Sequence, residues 1–168
     1  MQHRVFQKPA VHTVYAFVVA AMLSSPFGSV TRADQAVAGD GIVRSKSAYA
    51  FGDTVERLTK DVASKGIMLF SVIDQTKLAR DAGLSIIPST LLVFGNPALG
   101  TQFIAARPEA GLDWPVRLLV QQDTDGHVWV SYTDFAWIAR RHKVRDGEMA
   151  FTTASSVIAS ITSSVAAK

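Results

Sequence analysis

The sequence predicts an α+β domain, a single antiparallel sheet with helices on one face, and three observations carry that expectation. From Ile42 onward the order is strand, helix, several strands and then helices, without the strict alternation of a doubly wound fold. Two alternating runs, "PVRLLVQQ" and "HVWVSYT", are joined by "DTDG", a hairpin signal whose glycine supplies a positive φ. The chain closes on a segment in which Ala150, Ala154, Val157, Ile158, Ile161 and Val165 share one helical stripe.

The N-terminal stretch reads as an export signal. Arg4 and Lys8 make a basic start, Val14 to Leu23 is a short apolar segment, and small and polar residues follow. Ten apolar residues are about half of the roughly 20 needed to span a bilayer, so a cleaved secretory signal is expected rather than a stable membrane span. Thr31-Arg32-Ala33 and Ala36-Val37-Ala38 both suit a signal peptidase, which sets residues 1–38 apart as signal and flexible N-terminus and 39–168 as a single domain. A periplasmic or secreted location follows.

That address changes the meaning of the charge. If cleavage follows Ala33, removing Arg4, Lys8 and Arg32 from the seventeen basic residues leaves fourteen, matched by fourteen acids, so the sequence pI of 9.4 gives no support for a nucleic-acid partner. There is no cysteine, which rules out disulfides and thiolate metal ligands. Two histidines survive export, His127 and His142, too few and too scattered to predict a metal site, and no cofactor motif is present.

Element by element, "IVRSKSAYA" from Ile42 reads as a first strand. "FGDTVERLTKDVASKG" reads as a helix with Asp53 as N-cap, Glu56 completing a capping box, and Gly66 as the stop. "IMLFSVID" is a second strand, after which Asp74 caps a short helix ending at Gly83. "SIIPSTLLVFG" supplies a third strand with Pro88 near its start. In "FGNPALGT" the Gly-Lys-Ser/Thr ending of a phosphate loop is missing. Asn96 is instead a strong N-cap and Pro97 fits the first helical position, so the stretch reads as a strand-to-helix turn, with anion binding by its amides as the competing reading. After the hairpin, "DFAWIARRHK" is a short helix from Asp134. Residues 149–167 carry no charge, but eight of these 19 are Ser or Thr on a polar face, which predicts packing on a sheet or a partner, not membrane insertion.

"AGLSIIPSTLLVFGNPALGT" and "GLDWPVRLLVQQDTDGHVWVSYTDFAWIARRH" resemble the family catalogued as domain of unknown function 302, over most of the chain from about Ser47 to the end. The resemblance implies a compact domain similar to the TATA-binding-protein fold, β-α-β4-α, seen as dimers, with no established biochemical role. The matching positions are Asp74, Gly83, Pro88, Thr90, Gly95, Asn96, Pro97, Gly100, Asp113, Pro115, Gly126, Tyr132, Asp134 and His142. Two departures stand out. Gln75 follows Asp74 where the family usually has histidine, and Thr133-Asp134-Phe135 replaces the usual Asn-Asp-Pro.

No nucleophile elbow and no His-Glu-x-x-His occurs. Asp123 and Asp125 read as turn formers, and Arg140, Arg141, Lys143 and Arg145 as cations at a helix C-terminus. What remains is a candidate pocket of Asp74, Asn96, Tyr132, Asp134 and His142 near strand ends. The leading expectation is a non-enzymatic exported homodimer that binds a small ligand or a partner protein. The alternative is a small hydrolase or lyase using His142 with Asp74 or Asp134 as acid/base. A third is an assembly role through the Ser/Thr-faced last helix.

Overall fold

The alternating runs pair into one sheet. In chain order the elements are β1 (Ala36–Val37), β2 (Ile42–Lys46), α1 (Phe51–Ser64), β3 (Met68–Asp74), α2 (Gln75–Asp81), β4 (Ser89–Gly95), α3 (Pro97–Ala106), a 3-10 turn (Pro108–Leu112), β5 (Val116–Gln122), β6 (Val128–Thr133), α4 (Phe135–Arg141) and α5 (Glu148–Ser163). The computed structural model describes residues 36–37, 39–144 and 148–167, all within one compact unit. The export segment and Arg145 lie outside them. The strands run β1-β2-β6-β5-β4-β3 and every neighbouring pair is antiparallel. Among the described residues, Ala36 and Val37 belong to the sheet, paired with Arg44 and Val43.

Strand alternation separates two faces. Val43 and Ser45, Val130 and Tyr132, Leu118 and Val120, and Leu92 and Phe94 are buried in register across β2, β6, β5 and β4. The intervening residues, Arg44, Trp129, Gln121 and Leu91 among them, are half-buried or exposed. Helices cover the first face only. α1 lies against β3, β4 and β5 through a face that buries Leu58 and Val62, and α5 packs on α1, α3 and α4. The stripe read on the last helix is real, and its destination is this protein's own core: Ala150, Ala154, Ile158, Ile161 and Val165 are all buried. Backbone bonds from Ala48 N to Val165 O (2.8 Å) and from Ala167 N to Lys46 O (3.0 Å) tie the end of the chain to the end of β2.

Two boundaries differ from the sequence reading. α1 begins at Phe51 with Ala50 as N-cap, so Asp53 lies inside the first turn and no capping box forms. The start is fixed instead by Thr54, fully buried, whose hydroxyl donates to Ala50 O (2.9 Å) and shares a 2.7 Å hydrogen bond with Ser47 Oγ. Glu56 pairs with Lys60 one turn on, and the hydrogen bond from that ammonium holds its carboxyl below the usual range. β4 begins at Ser89, after Pro88, not at Ser85.

Candidate functional site

Three of the five candidate residues serve helix starts. Asp74 accepts from Lys77 N at 2.8 Å, Asn96 from Ala98 N at 2.9 Å and Leu99 N at 3.3 Å, and Asp134 from Trp137 N at 2.7 Å. Each is a short polar side chain directly before a helix, taking up amides that have no intrahelical acceptor. "FGNP" is thus the strand-to-helix turn. The two amides nearest the start of α3 are occupied by the Asn96 side chain, which leaves the anion reading without its donors.

The five do not converge on one pocket. Asp74 pairs with Thr90 and Met68 with Gly95, so Asp74 and Asn96 stand at opposite ends of β3 and β4, about 20 Å apart at ~3.4 Å per residue. Asp134 and His142 flank the two ends of α4, about 12 Å apart along its axis. Tyr132 is buried in the sheet core. An acid/base pair of His142 with Asp74 or Asp134 is therefore not brought together.

The partner of His142 is Asp113. Nε2 of His142 lies 2.6 Å from Asp113 Oδ2, with both side chains buried. Arg141 Nη1 donates to both carboxylate oxygens at 3.1 and 3.2 Å, and Arg117 Nη2 reaches Oδ1 at 3.4 Å. A buried carboxylate needs such hydrogen-bond partners. The cluster fastens the end of α4 to the loop before β5. The cavity beside Asp113 has a volume of about 10 Å³, room for one water at most. Nothing local in the sequence marks this arrangement, since Asp113 and His142 are 29 positions apart.

The described residues form an apolar pocket of about 380 Å³ under the "FGNPALG" turn. Phe94 and Gly95 of β4, Leu99 and Phe103 of α3, Trp114, and Val157 and Ile158 of α5 line it, with Lys65, Asn96, Gln102 and Thr153 as its polar members. Its size is that of a small-ligand site, and neither a carboxylate nor an imidazole is among its lining residues. Gly100 belongs to it for a steric reason: a Cβ there would stand 1.9 Å from the Trp114 indole, so only glycine lets the ring lie across α3. Of the five candidates, Asn96 alone lines this pocket.

At the β5–β6 turn, Asp123, Asp125 and His127 bring their ligand atoms within 4.8 Å of one another. Asp123 is already engaged as a turn anchor, accepting from Asp125 N, His127 N and, at 2.7 Å, the Trp129 indole N–H. That indole bond is the main reason its carboxyl lies below the ordinary range.

Comparison with known proteins agrees with this architecture. The family model described as "Domain of unknown function DUF302" matches residues 43–165. The fluoride-specific ion channel FluC 1 of Brucella suis biovar 1 (strain 1330) is 36% identical over 104 residues, 62% of this chain and 41% of that protein. FluC 1 of Brucella abortus biovar 1 (strain 9-941) is also 36% identical over 104 residues, there 38% of its length. The chain thus spans about two fifths of the curated relatives it matches. The crystal structure of an uncharacterized conserved DUF302 protein from Bacillus stearothermophilus has the same fold, with a TM-score of 0.68 over 74% of this chain and 98% of that one at 15% identity.

Proposed function

Because the chain belongs to the DUF302 family, whose description assigns no activity, we propose a function from its own geometry: an exported, homodimeric, non-enzymatic domain that binds a small, mostly apolar ligand. The observation that carries this is the pocket around Trp114. It offers aromatic and aliphatic walls for burial, two amide side chains for orientation, and neither a carboxylate nor an imidazole. Lys65 at the rim is paired with Asp61, both of whose carboxylate oxygens lie 2.7 Å from its Nζ, so the apolar walls and not a free charge carry the binding. The basic start and short apolar segment before residue 39 support export.

The curated relatives are named as fluoride channels, and among the described residues here no helix is long and apolar enough to cross a membrane. We read the shared segment as an accessory domain beside a conducting part in those proteins. That supports a binding role over a conducting one.

The test uses the Trp114 indole N–H resonance as a reporter that sits inside the pocket. Titration with anilinonaphthalene sulfonate, an apolar anion, should shift that resonance and saturate. Val157→Phe, which adds volume to the pocket wall, should weaken the binding at least tenfold with little change in Tm. Unshifted Trp114, or equal binding by the variant, would overturn the ligand reading of this pocket.

A further inference from the structure

Of the described residues, the 27 from 63 to 89 include none that is buried, although they form all of β3 and α2. The stretch is far from polar. Met68, Phe70 and Val72 of β3, Leu78 of α2, and Leu84 and Ile87 beyond it are between 42% and 67% exposed. α2 has no buried residue and is held by hydrogen bonds, its Asp74 cap and those of Gln75 and Thr76 with Ser89, in place of the apolar packing on which short helices ordinarily rely. β3 is also an edge strand of seven residues with neither lysine nor proline in it; a bulge at Phe70, between Leu69 and Ser71, interrupts its register and leaves Ser71–Asp74 as its regular outer stretch.

We propose that β3 is the homodimer interface: a second copy of this chain adds its own β3 antiparallel across a two-fold axis, so that the two sheets become one and the apolar residues of α2 and the Leu84–Ile87 loop cover each other. This rests on the homodimer reading above and gives it a location.

Three features select a second copy as the occupant. The first is area. The half-exposed apolar side chains leave roughly 600 Å² uncovered per chain, shared between the two faces beside the β3 edge, and the backbone of that edge brings this near the ~800 Å² per partner of a standard interface. The second is charge. Between residues 66 and 88 the ionisable side chains are Asp74, Lys77, Arg80 and Asp81, with Lys77 bonded to Asp81, so the surface is neutral and does not repel its own copy. The third is geometry. An antiparallel strand pair is self-complementary under a two-fold axis, with Ser71, midway along β3, the position where the small side chains of both copies would meet. At the other edge, β1 contributes two of the described residues.

The experiment is light scattering at tens of micromolar on the protein as processed by the cell that expresses it. Wild type, Val72→Lys, Leu84→Glu and Met149→Lys are compared, the last an 82% exposed position on α5. Wild type and Met149→Lys should have the mass of two chains. Val72→Lys and Leu84→Glu should have the mass of one, with unchanged circular dichroism, because neither residue is buried within its own chain. A single-chain mass for wild type would sink the homodimer reading itself. Two-chain masses for wild type and for both β3–α2 variants would keep the dimer and overturn this interface. In either case the ligand reading is judged separately by the Trp114 resonance.

Discussion

α5 and the β3–α2 segment are both uncharged or nearly balanced apolar stretches, and in the folded chain they meet opposite fates. α5 turns its stripe into the core, where Ile158 and Ile161 are fully buried between α1, α3 and α4. β3 and α2 have as many large apolar side chains and bury none of them fully. Helical periodicity marks α5 as a segment with a face to hide, and its hydroxyl-lined reverse side suggests a partner. Yet it is the stretch with no conspicuous pattern that is left uncovered. A pattern in sequence shows that a face is apolar; only the count of elements competing to cover it shows whether the chain has anything left to do so.

Substitutions at three positions sharpen that contrast. Ile161→Ala in α5 should cost about 2–5 kcal/mol in chemical denaturation, the range for emptying a fully packed core site. Asn96→Ala should cost about 1 kcal/mol by removing the acceptor at the start of α3, while Asn96→Asp, an equally good cap beside the positive helix end, should be neutral or slightly stabilising. Val72→Ala, measured at a concentration where the chains are separate, should cost under about 0.5 kcal/mol, as for a surface position. If Val72→Ala approached the Ile161→Ala value in isolated chains, the proposed division between a covered and an uncovered region would fail.

Much of the architecture is legible in the sequence because its signals are local. The Asn96-Pro97 pair announces α3, Asp123 to Gly126 announce the β5–β6 hairpin, and Asp74 and Asp134 announce the helices they cap. The same locality misleads at the site. Polar residues next to strand ends resemble a convergent cluster, but capping consumes three of them one by one, and strand register separates Asp74 from the rest. Asp113, the residue that actually meets His142, gives no such signal, because its four-residue network joins a loop to a helix nearly thirty positions later. The start of α1 escapes the sequence for a related reason: Asp53 and Glu56 satisfy the capping pattern, while the buried Ser47–Thr54 hydrogen bond that sets the boundary is a tertiary feature. That "IMLFSVID" is a strand can be read directly. That it ends up at the edge depends on the order of the whole sheet.

The central claim is that β3 is completed by a second copy, and amide hydrogen exchange along Met68–Asp74 tests it most directly. An edge strand in a lone chain has free amides on its outer side, which exchange quickly at any concentration. If a second copy pairs with β3, those amides become protected as concentration rises through the dimerisation range, while the amides of β5 and β6 at the sheet centre stay protected throughout. Rapid exchange of alternate β3 amides, unchanged from the lowest to the highest concentration, would contradict it.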